Sequence, residues 1–304
     1  MVAVVNGRSF AQILGDHQKW LAQEPGGRRC ELQGFTLSEA SLQRVNLEQA
    51  ILIGTTLLDA DLSFARLSGA RLTSLDLRRA TLSSADLSGG EISDTQFTFA
   101  WLECAKFLDS RLSACGFRKA NLHDARFQDA QLARCRFSAA TMVAASFHHA
   151  RLTECDFSDA DISDAQFYKT RISVARFYQM NGSAVNFGAS QLHACDFTKA
   201  DLPRSKFARA RLTSCSLDRA ILTDCDFRET DLTGTNLNGA VLRQARFGQA
   251  KMFAVDLRNA DLTGALELSG IQLAQARTDE STILPNGTRG PYRRHSRAER
   301  PSYA

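Results

Sequence analysis

Residues 60–89 read ADLSF-ARLSG-ARLTS-LDLRR-ATLSS-ADLSG, and the third residue of every group of five is leucine. Stepping outward by five extends the pattern from Leu32 to Leu262, 47 positions of which only Gly182 is not a large apolar residue. Two places before each lies a second set, from Cys30 to Ala260, in which 41 of 47 residues are Ala, Cys, Ser, Thr or Gly. The repeating unit is therefore small, polar, large, polar, polar. A helix cannot use it, because five residues at about 100° each move the apolar position by about 140° per unit and smear it around the circumference. A straight strand cannot use it either, since an odd period throws successive large residues onto opposite faces. The pattern works when the chain makes a short extended segment and turns a corner in every unit, with the small and the large residue both pointing inward. Repeated corners make a β-solenoid, whose stacked coils bury one continuous core.

The number of corners per coil follows from two longer periods. Cys115, Cys135, Cys155, Cys195 and Cys215 lie at multiples of 20, and phenylalanine recurs every 10 residues from Phe97 to Phe207. Four faces per coil satisfy both and place Phe on two opposite walls, with aliphatic residues on the other two. Units such as Ala60-Asp61-Leu62-Ser63, Ala85-Asp86-Leu87-Ser88-Gly89 and Ala260-Asp261-Leu262-Thr263-Gly264 resemble the consensus of the pentapeptide repeat proteins. That resemblance covers about three quarters of the chain and implies an all-β fold, a right-handed quadrilateral β-helix. It implies little about function, because one fold hosts many roles.

The segments fall at 1–29, 30–264, 265–287 and 288–304. In the first, Phe10, Ile13, Leu14, His17 and Leu21 follow helical spacing with Trp20 beside them, which predicts a short amphipathic helix capping the open first coil. In the third, Leu266, Leu268, Ile271, Leu273, Ile283 and Leu284 are expected to cover the other end or to pair two copies in a homodimer. The fourth carries Arg289, Arg293, Arg294, Arg297 and Arg300 against Glu299 and reads as a basic, disordered tail. Gly182 leaves a large position empty, and Met180, where a small residue belongs, is expected to fill it.

No catalytic centre, metal site or cofactor site emerges. Seven of the eight cysteines occupy the small inward position, where Ala alternates with them, so they read as small core residues; Cys104 falls at a corner and is the accessible thiol. Only His148 and His149 are clustered among the histidines, and the Asp and Ser residues recur with the repeat instead of forming one constellation. The chain reads as no enzyme. With no apolar run near 18 residues and no signal-like stretch in Met1 to Arg8, no membrane span is expected and the cytoplasm is the default location.

Specificity must then lie in outward side chains. The 20-residue period puts Arg71, Arg111, Arg151, Arg171 and Arg211 on one face with Gln131 and Gln191, while Asp61, Asn121, Asp161, Asn181, Asp201 and Asp261 occupy the next but one. Phe64, Phe99 and Trp101, with Leu58, fall on or beside one edge of the early coils, where Asp, Asn, Ser or Gly is the rule, and an exposed apolar patch marks an interface. The candidate partner-binding residues are thus Phe64, Phe99, Trp101, Arg111, Arg151, Arg171 and Arg211. The leading reading is a scaffold for a protein partner, with nucleic acid not the expected ligand. The resemblance also implies a DNA-mimicking binder of DNA gyrase that protects against quinolones, but residues 32–262 hold 27 Lys plus Arg against 26 Asp plus Glu, a departure from the strongly negative surface a mimic needs. A secreted bacterial effector is a further alternative.

Overall fold

Each five-residue unit places one backbone bridge and one corner. In the computed structural model, which describes residues 4–5 and 8–301, parallel bridges join positions 20 apart on each of four ladders, such as Glu31 to Ile51, Thr36 to Thr56, Ser41 to Asp61 and Asn46 to Arg66. Four bridges per 20 residues make every coil four-sided, and the chain is a parallel β-solenoid. The backbone clusters into two units, Met1–Ser146 and Phe147–Ala304.

The first unit begins with the two-residue strands β1 (Val4–Val5) and β2 (Arg8–Ser9), which pair antiparallel, and with helix α1 (Phe10–Leu21). Ser9 caps α1 and exchanges hydrogen bonds with Gln12, a capping box. The helix buries Ile13 and His17. His17 Nδ1 accepts the Cys30 backbone N–H at 3.1 Å, and the Arg28 N–H donates to the Asp16 carbonyl, so the helix is bonded to the start of the solenoid. Gly27 is obligatory here, since a Cβ on it would lie 2.4 Å from the Trp20 backbone nitrogen. The first face of the coils then carries β3 (Glu31–Gln33), β4 (Ile51–Ile53), β5 (Arg71–Thr73), β6 (Glu91–Ser93), β7 (Arg111–Ser113) and β8 (Gln131–Ala133).

The second unit carries β9 (Arg151–Thr153), β10 (Arg171–Ser173), β11 (Gln191–His193) and β12 (Arg211–Thr213) on its first face, continued by bridges from Arg211 to Asp231 and on to Lys251. It ends in helix α2 (Gly270–Gln275), capped by Ser269. Gln272 donates to the carbonyls of Phe247 and Ala250, and Thr282 to that of Leu257, so side chains satisfy backbone acceptors of the last coils. Leu268, Leu273 and Leu284 are buried against this end. Ile271 differs from expectation: it faces solvent with 75% exposure.

The tail also differs. Charge composition predicted disorder from 288 onward, yet Tyr292 donates its N–H to Thr278 and its hydroxyl to Glu299, Ala298 is buried, and Arg289 bridges antiparallel to Ile283. The turn at Gly287, with φ of 84°, sends the chain back over the cap, where such contacts become possible.

Inward, the walls are as the periods require. Phe97, Phe117 and Phe137 stack at 4.7 Å between ring centroids in the first unit, with Phe107 and Phe127 stacked across from them, and edge-on contacts joining the two columns. In the second unit the run Phe167, Phe187, Phe207, Phe227 and Phe247 stacks at 5.0 to 5.4 Å. At the outer corners, Asp61, Asp156, Asp161 and Asp261 each accept the N–H two residues on, which is why a carboxylate or amide so often precedes the large residue.

The cysteine position proves more selective than small size. After most faces the N–H of the small residue closes a turn onto the carbonyl of the preceding large one, as Ala40 does on Leu37, Val45 on Leu42 and Ala50 on Leu47. After the first face, at Thr55, Thr95 and Cys115, the corner residue instead donates its hydroxyl or thiol to the carbonyl two residues back. Cys195 does the same toward His193. Thr or Cys fills six of the nine such positions from 35 to 195, whereas further on the backbone turn closes again, the Thr235 N–H reaching the Leu232 carbonyl at 2.9 Å. Burial pushes the Cys225 thiol up and the Cys30 thiol up to about 11, while the neighbouring Cys195 thiol, with burial second to it, raises that of Cys215.

At Gly182 the large position holds no vacancy. An added Cβ would meet Val185 Cγ2 at 2.7 Å, Ile162 at 2.9 Å and Leu202 at 3.0 Å, so Val185, standing where a small residue belongs, and the rungs on either side take the space assigned above to Met180. Met180 is fully buried but is not among these nearest neighbours.

Candidate functional site

The first unit bears a groove of about 1110 Å³ over the corner between its second and third faces. It is built by the same register that builds the core. Position 99 is the last of its five-residue unit, where the chain turns with positive φ, and Phe99 adopts φ of 60° there. An L-residue pays about 1–2 kcal/mol for this region, so Asp, Asn or Gly would sit more cheaply. Trp101 follows on the next face, bridged between Thr81 and Asn121, two shorter side chains that leave its ring standing free. Phe99 is 48% and Trp101 55% exposed. Leu58 joins them, and the backbone around the buried Ala100 and Ala120 forms the floor.

Charges line the groove in pairs. Along the corner ladder, Arg79 donates Nε to Asp59 Oδ1 at 2.7 Å and holds that carboxyl below its ordinary range. The next rung up is Phe99, and one further is Lys119, whose ammonium lies 5.4 Å from the Phe99 centroid. Arg78 grips Asp76 with both ends of its guanidinium, at 2.8 and 2.7 Å, and lowers the Asp76 pKa by those hydrogen bonds. Glu103, Asn121 and His123 complete the far wall, with His123 Nδ1 2.8 Å from Asp124. The groove thus offers an apolar centre with a rim of mixed sign.

Of the residues singled out from sequence, Phe99, Trp101 and Leu58 come together here. Phe64 does not: it is 54% exposed at another corner, with the Arg44 guanidinium 5.6 Å over its ring. Arg111 lies on the first face beside Glu91, which Arg71 holds at 3.0 Å and Arg111 approaches at 4.0 Å, so the stripe is interrupted by an acid in this unit. Arg151, Arg171 and Arg211 belong to the second unit. Sequence reasoning missed Arg79 and Lys119, although the same 20-residue arithmetic places them directly beside Phe99.

Among the described residues, no group of three His, Cys, Asp or Glu side chains is arranged to hold a metal, and no helix is long and apolar enough to cross a membrane.

A family model described as Pentapeptide repeats (8 copies) matches residues 28–59, 60–93, 91–129, 120–159, 130–167 and 225–266. A second, Pentapeptide repeat region, matches 150–220. No curated protein matches the sequence. Among solved structures, the chain is similar to HetL of the cyanobacterium Nostoc sp. strain PCC 7120, a pentapeptide repeat protein involved in heterocyst differentiation regulation, with 21% identity over 90% of this chain and 96% of that one and a TM-score of 0.28. It is similar to trypsin-treated QnrB1, a plasmid-mediated fluoroquinolone resistance protein, with 18% identity, coverage of 83% and 92%, and a TM-score of 0.28. A pentapeptide repeat protein of the Arabidopsis thaliana thylakoid lumen shares 24% identity over 34% of this chain and 68% of its own, with a TM-score of 0.15.

Proposed function

Because the chain belongs to the pentapeptide repeat family, we propose that it is a non-enzymatic cytoplasmic scaffold that binds a protein partner through the groove at Phe99 and Trp101. The observation that carries this reading is the pair of large aromatic side chains held in solvent side by side, where the repeat elsewhere places mostly short or polar residues. Large apolar rings left adjacent and exposed, with no packing return inside the fold, point to use at a surface. Trp is among the side chains on which interface energy concentrates, and an indole that becomes covered contributes on the order of 2 kcal/mol or more. Lys119 and the Arg78 and Arg79 guanidinium groups add donors at the rim, where they orient a partner more than they tighten it.

The test is capture from lysate with wild type and Trp101→Ala in parallel. The variant should retain its thermal stability, since the ring packs in no core, and should lose captured proteins by about 30-fold in affinity, the equivalent of 2 kcal/mol. An identical set of proteins on both would sink the groove reading.

A gyrase-binding reading has one observation in its favour: Glu154, Asp156, Asp159, Asp161 and Asp164 place five carboxylates within eleven residues of one coil. It predicts inhibition of supercoiling, or protection from a quinolone, at protein concentrations near those of gyrase. No effect at large excess would dismiss it.

A further inference from the structure

On β9 to β12 the outward residues form two ladders in strict register. Arg151, Arg171, Gln191 and Arg211 make the first, and Thr153, Ser173, His193 and Thr213 the second. None of these eight positions holds a carboxylate. Elsewhere, charges one coil apart are commonly matched, as in Arg71 with Glu91, Arg79 with Asp59, Arg209 with Glu229, Arg246 with Glu267 and Lys251 with Asp231. Here Arg151 and Arg171 are direct neighbours, Arg211 stands between Gln191 and Asp231, whose carboxylate lies 3.5 Å from Lys251 one rung further, and Arg151, Arg171 and Arg211 form no ion pair among the described residues. Like charges in direct register are destabilising, so the fold bears a repulsion that opposite rungs relieve elsewhere. Lys169, at the adjoining corner, adds a cation 5.3 Å from the Tyr168 ring.

We propose that this face binds an acidic, extended segment of a partner protein, whose carboxylates seat on Arg151, Arg171 and Arg211 while the Thr and Ser hydroxyls supply neutral hydrogen bonds. The guanidinium fork matches a carboxylate with two parallel hydrogen bonds, which an ammonium cannot do. Alternate side chains of an extended peptide lie about 6.8 Å apart and solenoid rungs about 4.8 Å, a mismatch that long arginine side chains absorb. A single-stranded nucleic acid fits less well, because it asks for a run of aromatic platforms on which successive bases stack, whereas the two ladders hold only the imidazole of His193 and the Tyr168 ring at the adjoining corner has Lys169 over it. A second copy fits less well too. Of its carboxylates, Asp156, Asp161 and Asp164 lie on other faces of the coil than Arg151 and only Glu154 ends the same five-residue unit, so pairing two copies through these groups would have to bring different faces together. This surface is independent of the aromatic groove and stands if the groove reading falls.

The probe is a fluorescent twelve-residue peptide of alternating Glu and Ser, titrated into the full chain by anisotropy. Three comparisons accompany it: a Gln-Ser analogue, a twelve-nucleotide oligothymidylate, and the mass of the free protein in solution. The Glu-Ser peptide should bind saturably, weaken about five-fold between 50 and 200 mM salt through screening, and not be matched by the Gln-Ser analogue. The pair Arg151→Gln and Arg171→Gln should weaken it about ten-fold, the scale of losing two charge-assisted contacts. Gln191 already stands on that ladder, so the substitution suits the coil. Trp101→Ala and Arg111→Ala should leave binding unchanged. The proposal is overturned by absence of saturable binding, by an unchanged affinity in the Arg151 and Arg171 variant, by tighter binding of the oligonucleotide, or by a salt-sensitive oligomer that the same variant dissolves.

Discussion

Every corner of this fold asks one residue to adopt positive φ, and the chain answers with very different side chains. Gly69, Gly89, Gly234 and Gly264 meet the demand without cost, and Asp59, Asp124 and Asn259 at little cost, since short polar residues tolerate the left-handed region. Phe64, Phe99 and Cys104 do not share that excuse, and Val174, at φ of 54° with a β-branched side chain 56% exposed, is the least suited of all. Val174→Asn should therefore raise stability by about 1 kcal/mol, the cost of an unsuitable residue in this region, read as a higher urea midpoint. An unchanged or lower midpoint would mean that the exposed valine packs against its neighbours to a degree its exposure does not reveal. Phe99 makes a less clean test, because replacing it would also remove a ring that lines the groove with Trp101.

At the scale of elements, the caps are where chemistry other than repeat packing holds the structure. Helix α1 rests on His17, buried, stacked on Trp20 at 5.6 Å, and accepting the Cys30 N–H through Nδ1. That bond needs the neutral imidazole. Burial lowers the His17 pKa below its usual value, with the nearby Arg29 charge acting the same way and the Glu48 backbone opposing. The unfolded segment takes up its proton near pH 6.5 and the folded one only lower, so the stability linked to His17 is full above about pH 6.5 and is lost as pH falls below it. Trp20 fluorescence, in a Trp101→Phe background that leaves it the sole indole, should report a falling melting temperature for α1 between pH 7.5 and 5. His17→Leu should flatten that dependence, and a wild-type profile already flat would refute the role. The helix itself was legible from the spacing of Phe10, Ile13, His17 and Leu21. The folded-back tail was not, because its order comes from contacts of Tyr292, Thr278 and Glu299 that no local period encodes. Nor was the donor function of Thr95 and Cys115, since it depends on which of four equivalent-looking corners lacks the closing turn. Gly182 was legible as an irregularity, but the identity of its compensating neighbours required the packing of Val185 against the adjacent rungs.

For the whole molecule, a solenoid's stability is approximately a sum over coils and their neighbour contacts, so composition along the axis becomes a profile of local stability. Between Leu32 and Ile92 the walls of the first unit are built from leucine and isoleucine, and from Phe97 onward two walls become phenylalanine. Fully buried Phe residues remove more apolar surface than Leu, and stacked or edge-on ring pairs add about 0.5–1.5 kcal/mol each beyond that area. Amide hydrogen exchange should therefore show greater protection for bridge amides such as Phe107, Asn121 and Arg126 than for Leu42, Asp61 and Arg66, although all make backbone bonds of 2.7 to 2.9 Å. Equal bond lengths with unequal protection would locate the difference in the core and not in the hydrogen bond itself. In the second unit the Phe column ends at Phe247, and protection should decline from there toward α2. Phe117→Leu then provides the decisive comparison: it should lower protection mainly in the coils on either side of it, where Phe97 and Phe137 lose their stacking partner. A uniform loss across the first unit would show that its coils open as one cooperative block, and the neighbour-by-neighbour account of this fold would have to be abandoned.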